Sequence, residues 1–328
     1  MSFPITRPRR LRRSQALRNM VAEFSLNKDD LMYPIFVVHG SGIKKEISSM
    51  PNQYHWSVDM LEEIVKQVVR VGIKSLMIFG VPNTKDLLSK ENYDAHGITQ
   101  QAIRKIKALA PDLVIATDVC MCSFTEHGHC GILDENEYVD NDKTLKILQK
   151  TAVSHAQAGA DIVAPSGMMD GMIIAMREAL DNANFTNVAI MSYSVKYASA
   201  YYGPFRNACD SSLKGARKTY QMDYRNKKEA IREALEDVEQ GADFIMVKPA
   251  LSYLDIVNEL SQAVDLPMVA YHVSGEYAMI KAAAKAGLVD EKAITIETLT
   301  SMKRAGANII LTYTALDVAG WLSEPYSL

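Results

Sequence analysis

Residues 239–250 read "EQGADFIMVKPA", and the order of events in that stretch decides the fold. A charged segment with helical spacing ends at a glycine. An apolar run of strand length follows at once, and a lysine and a proline close it. The same punctuation recurs in "RVGIKSLMIFG", "QAGADIVAPS" and "RAGANIILTY". Gly72, Gly159, Gly241 and Gly306 thus stand where a helix ends in a left-handed cap before a strand begins. Short apolar runs occur at eight places: 31–38, 75–81, 113–121, 161–166, 189–196, 244–250, 267–274 and 308–315. Uninterrupted runs of this kind suit strands buried on both faces of a parallel sheet, and segments with helical periodicity separate most of them. The order predicts an α/β fold, a (β/α)8 TIM barrel, which typically needs about 250 residues. A doubly wound sheet shows similar alternation, but no glycine-rich dinucleotide fingerprint follows the first strand.

The surplus length is assigned to two places. Residues 1–30 read as an N-terminal arm ahead of a single barrel domain over 31–328. Residues 197–224, after the fifth strand, are rich in aromatic and basic residues without clean periodicity. A loop this long, on the face built by loops that follow strands, reads as an active-site lid. The arm is locally basic, with six arginines and no acid in residues 1–20. A transit peptide, a nucleic-acid arm, a grip on a neighbouring subunit and a solvated tail all fit that pattern. Pro4 and Pro8 argue against an amphipathic targeting helix through it. Over all 328 residues the net charge is only −3, which gives no reason to expect nucleic acid or an anionic membrane as partner. No apolar run approaches the roughly 18 residues of a membrane helix. Four cysteines, three of them clustered, do not resemble a disulfide framework in a chain this long. The chain reads as cytoplasmic, with its thiols kept for metal or catalysis.

The cluster is "DVCMCSFTEHGHCG", residues 118–131. Alternation along a third strand would turn Asp118, Cys120 and Cys122 to one side, with Cys130 returning from the next loop. Three thiolates hold zinc and leave a fourth position for chemistry. His127 or His129 would close the site and make it structural, and a chain without metal is the remaining reading. Lys196 and Lys248 each end an apolar strand. Burying an ammonium lowers its pKa, and a neutral amine forms a Schiff base with a carbonyl substrate. The lid supplies Arg206, Lys214, Arg217 and Lys218, so an acidic substrate is expected. Ser166, Ser274 and Tyr313 fall at the ends of strands four, seven and eight, where they can hydrogen-bond a second carboxylate. Cys209, in the lid, receives no role.

The stretches "DVCMCSFTEHGHCG", "SYSVKYAS", "YYGPFR", "KGARKTYQM", "FIMVKPA", "VSGEYAMIKAA" and "KRAGANIILTY" together resemble the porphobilinogen synthase (5-aminolevulinate dehydratase) family. The resemblance covers nearly the whole chain. It implies condensation of two 5-aminolevulinate molecules into porphobilinogen with loss of two waters, a lyase step of tetrapyrrole (heme) biosynthesis. It implies that Lys248 forms the Schiff base with the substrate giving the propionate side, and Lys196 with that giving the acetate side. Arg206, Arg217 and Gln221 would grip the first substrate's carboxylate, and Ser274 and Tyr313 a carboxylate of the bound pair. Zinc on Cys120, Cys122 and Cys130 would polarise the second substrate, with Asp118 placed for proton transfer. The resemblance further implies a homo-octamer assembled through the arms, and an allosteric, activating magnesium whose matching carboxylate here is Glu233. A class I aldolase on the same barrel would leave Lys196 and the cysteine cluster unexplained, whereas a zinc-stapled binding scaffold predicts unfolding on zinc removal and no borohydride labelling with 5-aminolevulinate.

Overall fold

A computed structural model describes residues 5–213 and 215–324; Lys214 and the outermost four residues of the predicted arm and barrel spans lie outside the described residues. The eight apolar runs become strands β1 (Leu31–Val38), β2 (Ser75–Val81), β3 (Val114–Val119), β4 (Ile162–Pro165), β5 (Ala189–Lys196), β6 (Phe244–Lys248), β7 (Met268–His272) and β8 (Ile309–Thr312). Each pairs in parallel with the next, and β8 returns to β1 through Leu31↔Ile310 and Met32↔Leu311, closing a (β/α)8 barrel. The outer ring comprises α1 (Leu61–Val71), α2 (Ile98–Leu109), α3 (Asn141–Ala158), α4 (Met172–Asn182) and α5 (Lys228–Glu239). It continues with α6 (Leu254–Ala263), α7 (Ser274–Lys285), α8 (Glu291–Ala305) and α9 (Ala315–Trp321). Gly72, Gly159 and Gly306 cap α1, α3 and α8 with φ of 88°, 106° and 117°, a conformation that costs other residues a Cβ clash.

The strands bury both faces, as their composition requires. Met32 and Phe36 of β1 point into the barrel, while Leu31, Tyr33, Ile35 and Val37 pack under the helices. This is the period of two that a closed sheet imposes on side chains. Strand β5 departs from it. Ile245 faces Ser192, but Val247 faces Val195, so β5 carries one extra residue. Ser192 sends its hydroxyl outward to Asp237 on α5, and Val195 packs in the outer layer. Tyr193 and Lys196, three positions apart, both face inward as a result. A β-bulge re-aims a side chain in just this way.

The insertion after β5 is more ordered than its aperiodic sequence predicts. It contains a tight turn at Ala200–Tyr202 and a helix at Gly203–Ala208, and Tyr197 bridges back to Met222. A helix of six residues is too short to show a repeat, and the barrel rim holds it instead. Phe205 donates its N–H to the Ser274 hydroxyl at 3.0 Å. His55 Nε2 donates to the Ala208 carbonyl at 2.6 Å, and the Ser49 hydroxyl to that of Pro204 at 3.2 Å. Lys85 reaches the Asp210 carbonyl, and the Ser212 hydroxyl that of Glu126. At Gly275 a Cβ would fall 2.4 Å from the Tyr201 carbonyl, so the lid sits on α7 only because this residue has no side chain.

The described part of the arm forms a turn at Pro8–Arg12 and a helix at Gln15–Met20 whose N-terminus is capped by Ser14. Leu11, Met20, Val21 and Phe24 are exposed along it, and Leu26 is the first buried side chain. No helix among the described residues is long and apolar enough to cross a membrane.

Candidate active site

Lys196 and Lys248 end neighbouring strands in direct register, and both are buried. The Lys248 ammonium position is boxed by rings, 4.4 Å from the centroid of Tyr271, 5.0 Å from Phe205, 5.1 Å from Tyr193 and 5.2 Å from Tyr202. Aromatic faces favour a cation, yet burial acts against it and the Lys196 charge adds to that; together they outweigh Asp118 and the thiols and lower the Lys248 pKa to about 7. Lys196 donates to the Ser166 carbonyl at 2.5 Å and lies 5.6 Å from the Tyr193 ring. Asp118, near the end of β3, is pushed up to about 6, first by burial and then by Cys122, with Lys196, Ser166 and Lys248 pulling it back.

Asp118, Cys122, Lys196 and Lys248 share one cavity with the lid residues Arg206 and Arg217, and Ser166 lines it too. Its volume is about 20 Å³, room for roughly one water molecule. With residues of the 197–224 insertion in its wall, the chamber is smaller than any organic substrate. Arg217 is part-buried; it donates to the Gly128 carbonyl at 2.7 Å while its Nε, itself shielded from solvent, has no partner. Arg206 remains exposed as a whole, and partial desolvation together with the Arg217 charge lowers its pKa.

The cysteines converge, though not as alternation predicts. Strand β3 ends at Val119, so Cys120 and Cys122 lie in the turn beyond it. The apolar residues continue past the last strand hydrogen bond, and this made the strand look longer than it is. The sulfurs of Cys120, Cys122 and Cys130 nevertheless lie within 4.8 Å of one another, all buried, and no other such group of metal-ligating side chains occurs among the described residues. Sulfur–sulfur hydrogen bonds from Cys120 and Cys122 hold Cys130 well below the usual thiol range, with Arg217 and Lys196 assisting, while Cys120 is driven up. Neither histidine of the motif joins them. His127 Nδ1 accepts the His129 N–H at 3.1 Å, and His129 Nδ1 meets the Tyr220 hydroxyl at 3.1 Å.

Other candidates fall elsewhere. Gln221 is buried with its amide nitrogen unpartnered, but it lines a cleft on the outer side of the lid together with Arg206 and Arg217. The Ser274 hydroxyl is engaged by the lid, and the Tyr313 hydroxyl by that of Tyr271 at 2.8 Å; neither lines the lysine cavity. Glu233, on α5, lines a separate cleft with Asp170 and Glu229, and burial with the neighbouring carboxylates raises its pKa to about 7. Cys209 is buried, its thiol pushed up to about 12 by burial and Cys122. The aromatic box was missed in the sequence. Strict alternation puts Tyr193 and Lys196 on opposite faces, and Tyr202 and Phe205 sit in a segment without periodicity. Only the motif "YYGPFR" marked them.

The family model described as Delta-aminolevulinic acid dehydratase matches residues 5–321. A protein of that name from Halalkalibacterium halodurans is 57 % identical over 97 % of this chain and 97 % of its own length. Another from Bacillus subtilis is 53 % identical over 99 % of this chain and 100 % of its own. A crystal structure of delta-aminolevulinic acid dehydratase (porphobilinogen synthase) from Toxoplasma gondii, in complex with the reaction product porphobilinogen, matches with a TM-score of 0.94 at 44 % identity, covering 96 % of this chain and 91 % of that one. The chain belongs to the delta-aminolevulinic acid dehydratase family.

Proposed function

We propose that this chain is a porphobilinogen synthase, a hydro-lyase that joins two molecules of 5-aminolevulinate into porphobilinogen and releases two waters. The observation that carries the reading is the pair of buried lysines in register, one of them with a pKa near 7, in one chamber with a carboxyl group, a cysteine trio and two lid arginines. Each substrate brings a ketone for an amine and a carboxylate for a guanidinium. A class I aldolase needs one lysine and no thiolate cluster.

The neutral Lys248 amine attacks one ketone; a C–N bond forms, and protonation of the hydroxyl lets water leave as the Schiff base appears. Asp118, with a pKa of about 6, is suited to give and take that proton. Lys196 plays the same part toward the second ketone. Arg206 and Arg217, with Gln221 beside them, hold a carboxylate, and Ser166, Ser274 and Tyr313 serve a second one once the lid shifts. Holding two identical molecules in reactive alignment is the main task, worth roughly 7–11 kcal/mol when well executed.

The donor set fits zinc. Three buried sulfurs within 4.8 Å approach the spacing of roughly 3.8 Å that Zn–S bonds near 2.3 Å impose, and no histidine fills the fourth position. When bound there, zinc supplies Lewis acidity toward a substrate oxygen. Glu233 is proposed as a ligand of a second, activating magnesium, because a divalent cation would relieve the repulsion among Glu233, Asp237, Glu236 and Asp170. Residues 1–30 are proposed to make the subunit contacts of a homo-octamer, because a basic arm with exposed Leu11, Met20 and Phe24 leaves apolar surface that a neighbouring subunit would cover.

Zinc-loaded protein given 5-aminolevulinate is expected to form a pyrrole; none forming would refute the assignment. Cys122→Ala should lower that rate at least a hundredfold while the circular-dichroism spectrum stays native, and an unfolded variant would make the metal structural. Lys248→Met should remove the borohydride trapping of substrate that occurs at residue 248, leaving at most a label on Lys196, and raise the melting temperature by a few degrees. The sign follows from linkage. Between pH 7 and the ordinary lysine range the unfolded chain binds the proton that the folded chain sheds, so Lys248 destabilises the fold most below about pH 7 and least at high pH. The gain in Lys248→Met should accordingly shrink from pH 6 to pH 9, and a constant gain would contradict the buried-amine account. Removing residues 1–22 should lower the mass seen by light scattering, and an unchanged mass would clear the arm of an assembly role. Magnesium stimulation should disappear in Glu233→Ala; stimulation persisting there would move the site elsewhere.

A further inference from the structure

The turn that carries Cys120 and Cys122 leaves strand β3, so the ladder no longer fixes it, and its backbone groups need other partners. The Met121 carbonyl is taken by the N–H groups of Phe124 and Thr125. The Cys120 carbonyl is met by one side chain, the amide of Asn92, whose Nδ2 donates to it at 3.1 Å. Asn92 lies between β2 and α2, 28 residues upstream, and is fully buried. It is itself clamped. Its N–H donates to the Ser89 carbonyl at 3.0 Å, from a turn in which Ser89 holds the left-handed φ of 50°. Its carbonyl accepts from Gln100 Nε2 at 2.9 Å, and the same amide group reaches the Ser154 hydroxyl of α3 at 2.9 Å. A chain of buried hydrogen bonds thus runs from α3 through α2 to the main chain of a cysteine. A carbonyl only accepts, so the Asn92 amide orientation is dictated by Cys120.

We propose that Asn92 is a positioning residue for the metal-binding turn: by fixing the Cys120 carbonyl it holds the three sulfurs together before an ion arrives. It touches neither substrate nor metal. Its effect is preorganisation, and groups that orient metal ligands typically contribute 10–100-fold to affinity. The proposal rests on the cysteines binding metal, and the test separates the two. Cobalt(II) titrated into the metal-free full-length protein reports sulfur ligation by its thiolate charge-transfer band, and zinc affinity follows from competition with a chromophoric chelator. No band in the unaltered protein would remove the metal site itself. Given that band, Asn92→Asp, nearly isosteric but without the donor, should bind zinc 10–100-fold more weakly and show an altered cobalt spectrum. At saturating zinc it should recover most of kcat. Affinity within twofold of the unaltered protein with an unchanged spectrum overturns the proposal, whatever happens to the melting temperature. Should Asn92→Asp fail to fold, Gln100→Met, which frees the Asn92 main chain and leaves its amide in place, should lose affinity several-fold; unaltered affinity there overturns the proposal equally.

Discussion

A primary amine stripped of water is the constraint from which the rest of the site follows. Four aromatic rings within 5.2 Å of the Lys248 nitrogen would favour its cation, as would Asp118. Burial and the facing Lys196 prevail, and the balance leaves about half of the group as free amine at pH 7. A lone lysine at a barrel mouth would keep its water and its proton. Two on adjacent strands, roofed by Tyr202 and Phe205, cannot both do so. The like-charge pair and the lid therefore act together on one quantity, the fraction of free amine.

That pairing depends on a single extra residue. In a regular β5, Tyr193 and Lys196 would face opposite ways, and either the ring under the two amines or one amine would be lost to the outer layer. The bulge lets Ser192 bind Asp237 outside while Tyr193 and Lys196 stay inside. The cysteine turn shows the same economy. It abandons the ladder after Val119, which frees the sulfurs to converge with Cys130, and borrows Asn92 from the neighbouring loop to hold its shape.

Legibility in the sequence followed the range of the interactions. The bounds of β1, β2 and β5 coincide with their apolar runs, because burial on both faces writes a continuous signal. The third run overshoots, since Cys120 and Met121 are as buried as a strand interior without belonging to one; hydrophobicity reports burial and is silent on hydrogen bonding. The glycine caps were legible because a left-handed φ admits few other residues. The lid was not, because its order comes from Ser49, His55, Lys85 and Ser274, each far away in the chain and ordinary in its own surroundings. Asn92 escaped for the same reason. The lysines and cysteines were readable because an ammonium at the end of an apolar strand and three clustered thiols are out of place by composition alone.

The closed chamber sets the last condition. A volume of about 20 Å³ is too small for substrate, so entry at the proposed site would require the lid, residues 197–224, to move. Its latches are hydrogen bonds to main-chain groups, each worth about 0.5–1.5 kcal/mol net, a set that releases at modest cost. Against them stands a built-in repulsion. Arg206 and Arg217 line the same chamber, and the pKa of Arg206 is lowered first by desolvation and then by the Arg217 charge. A carboxylate between the two guanidiniums removes the repulsion and adds charge-assisted hydrogen bonds. Under the proposed roles the lid would be more stable over an anionic substrate than over a neutral one, and the two arginines would also set when the amines are desolvated.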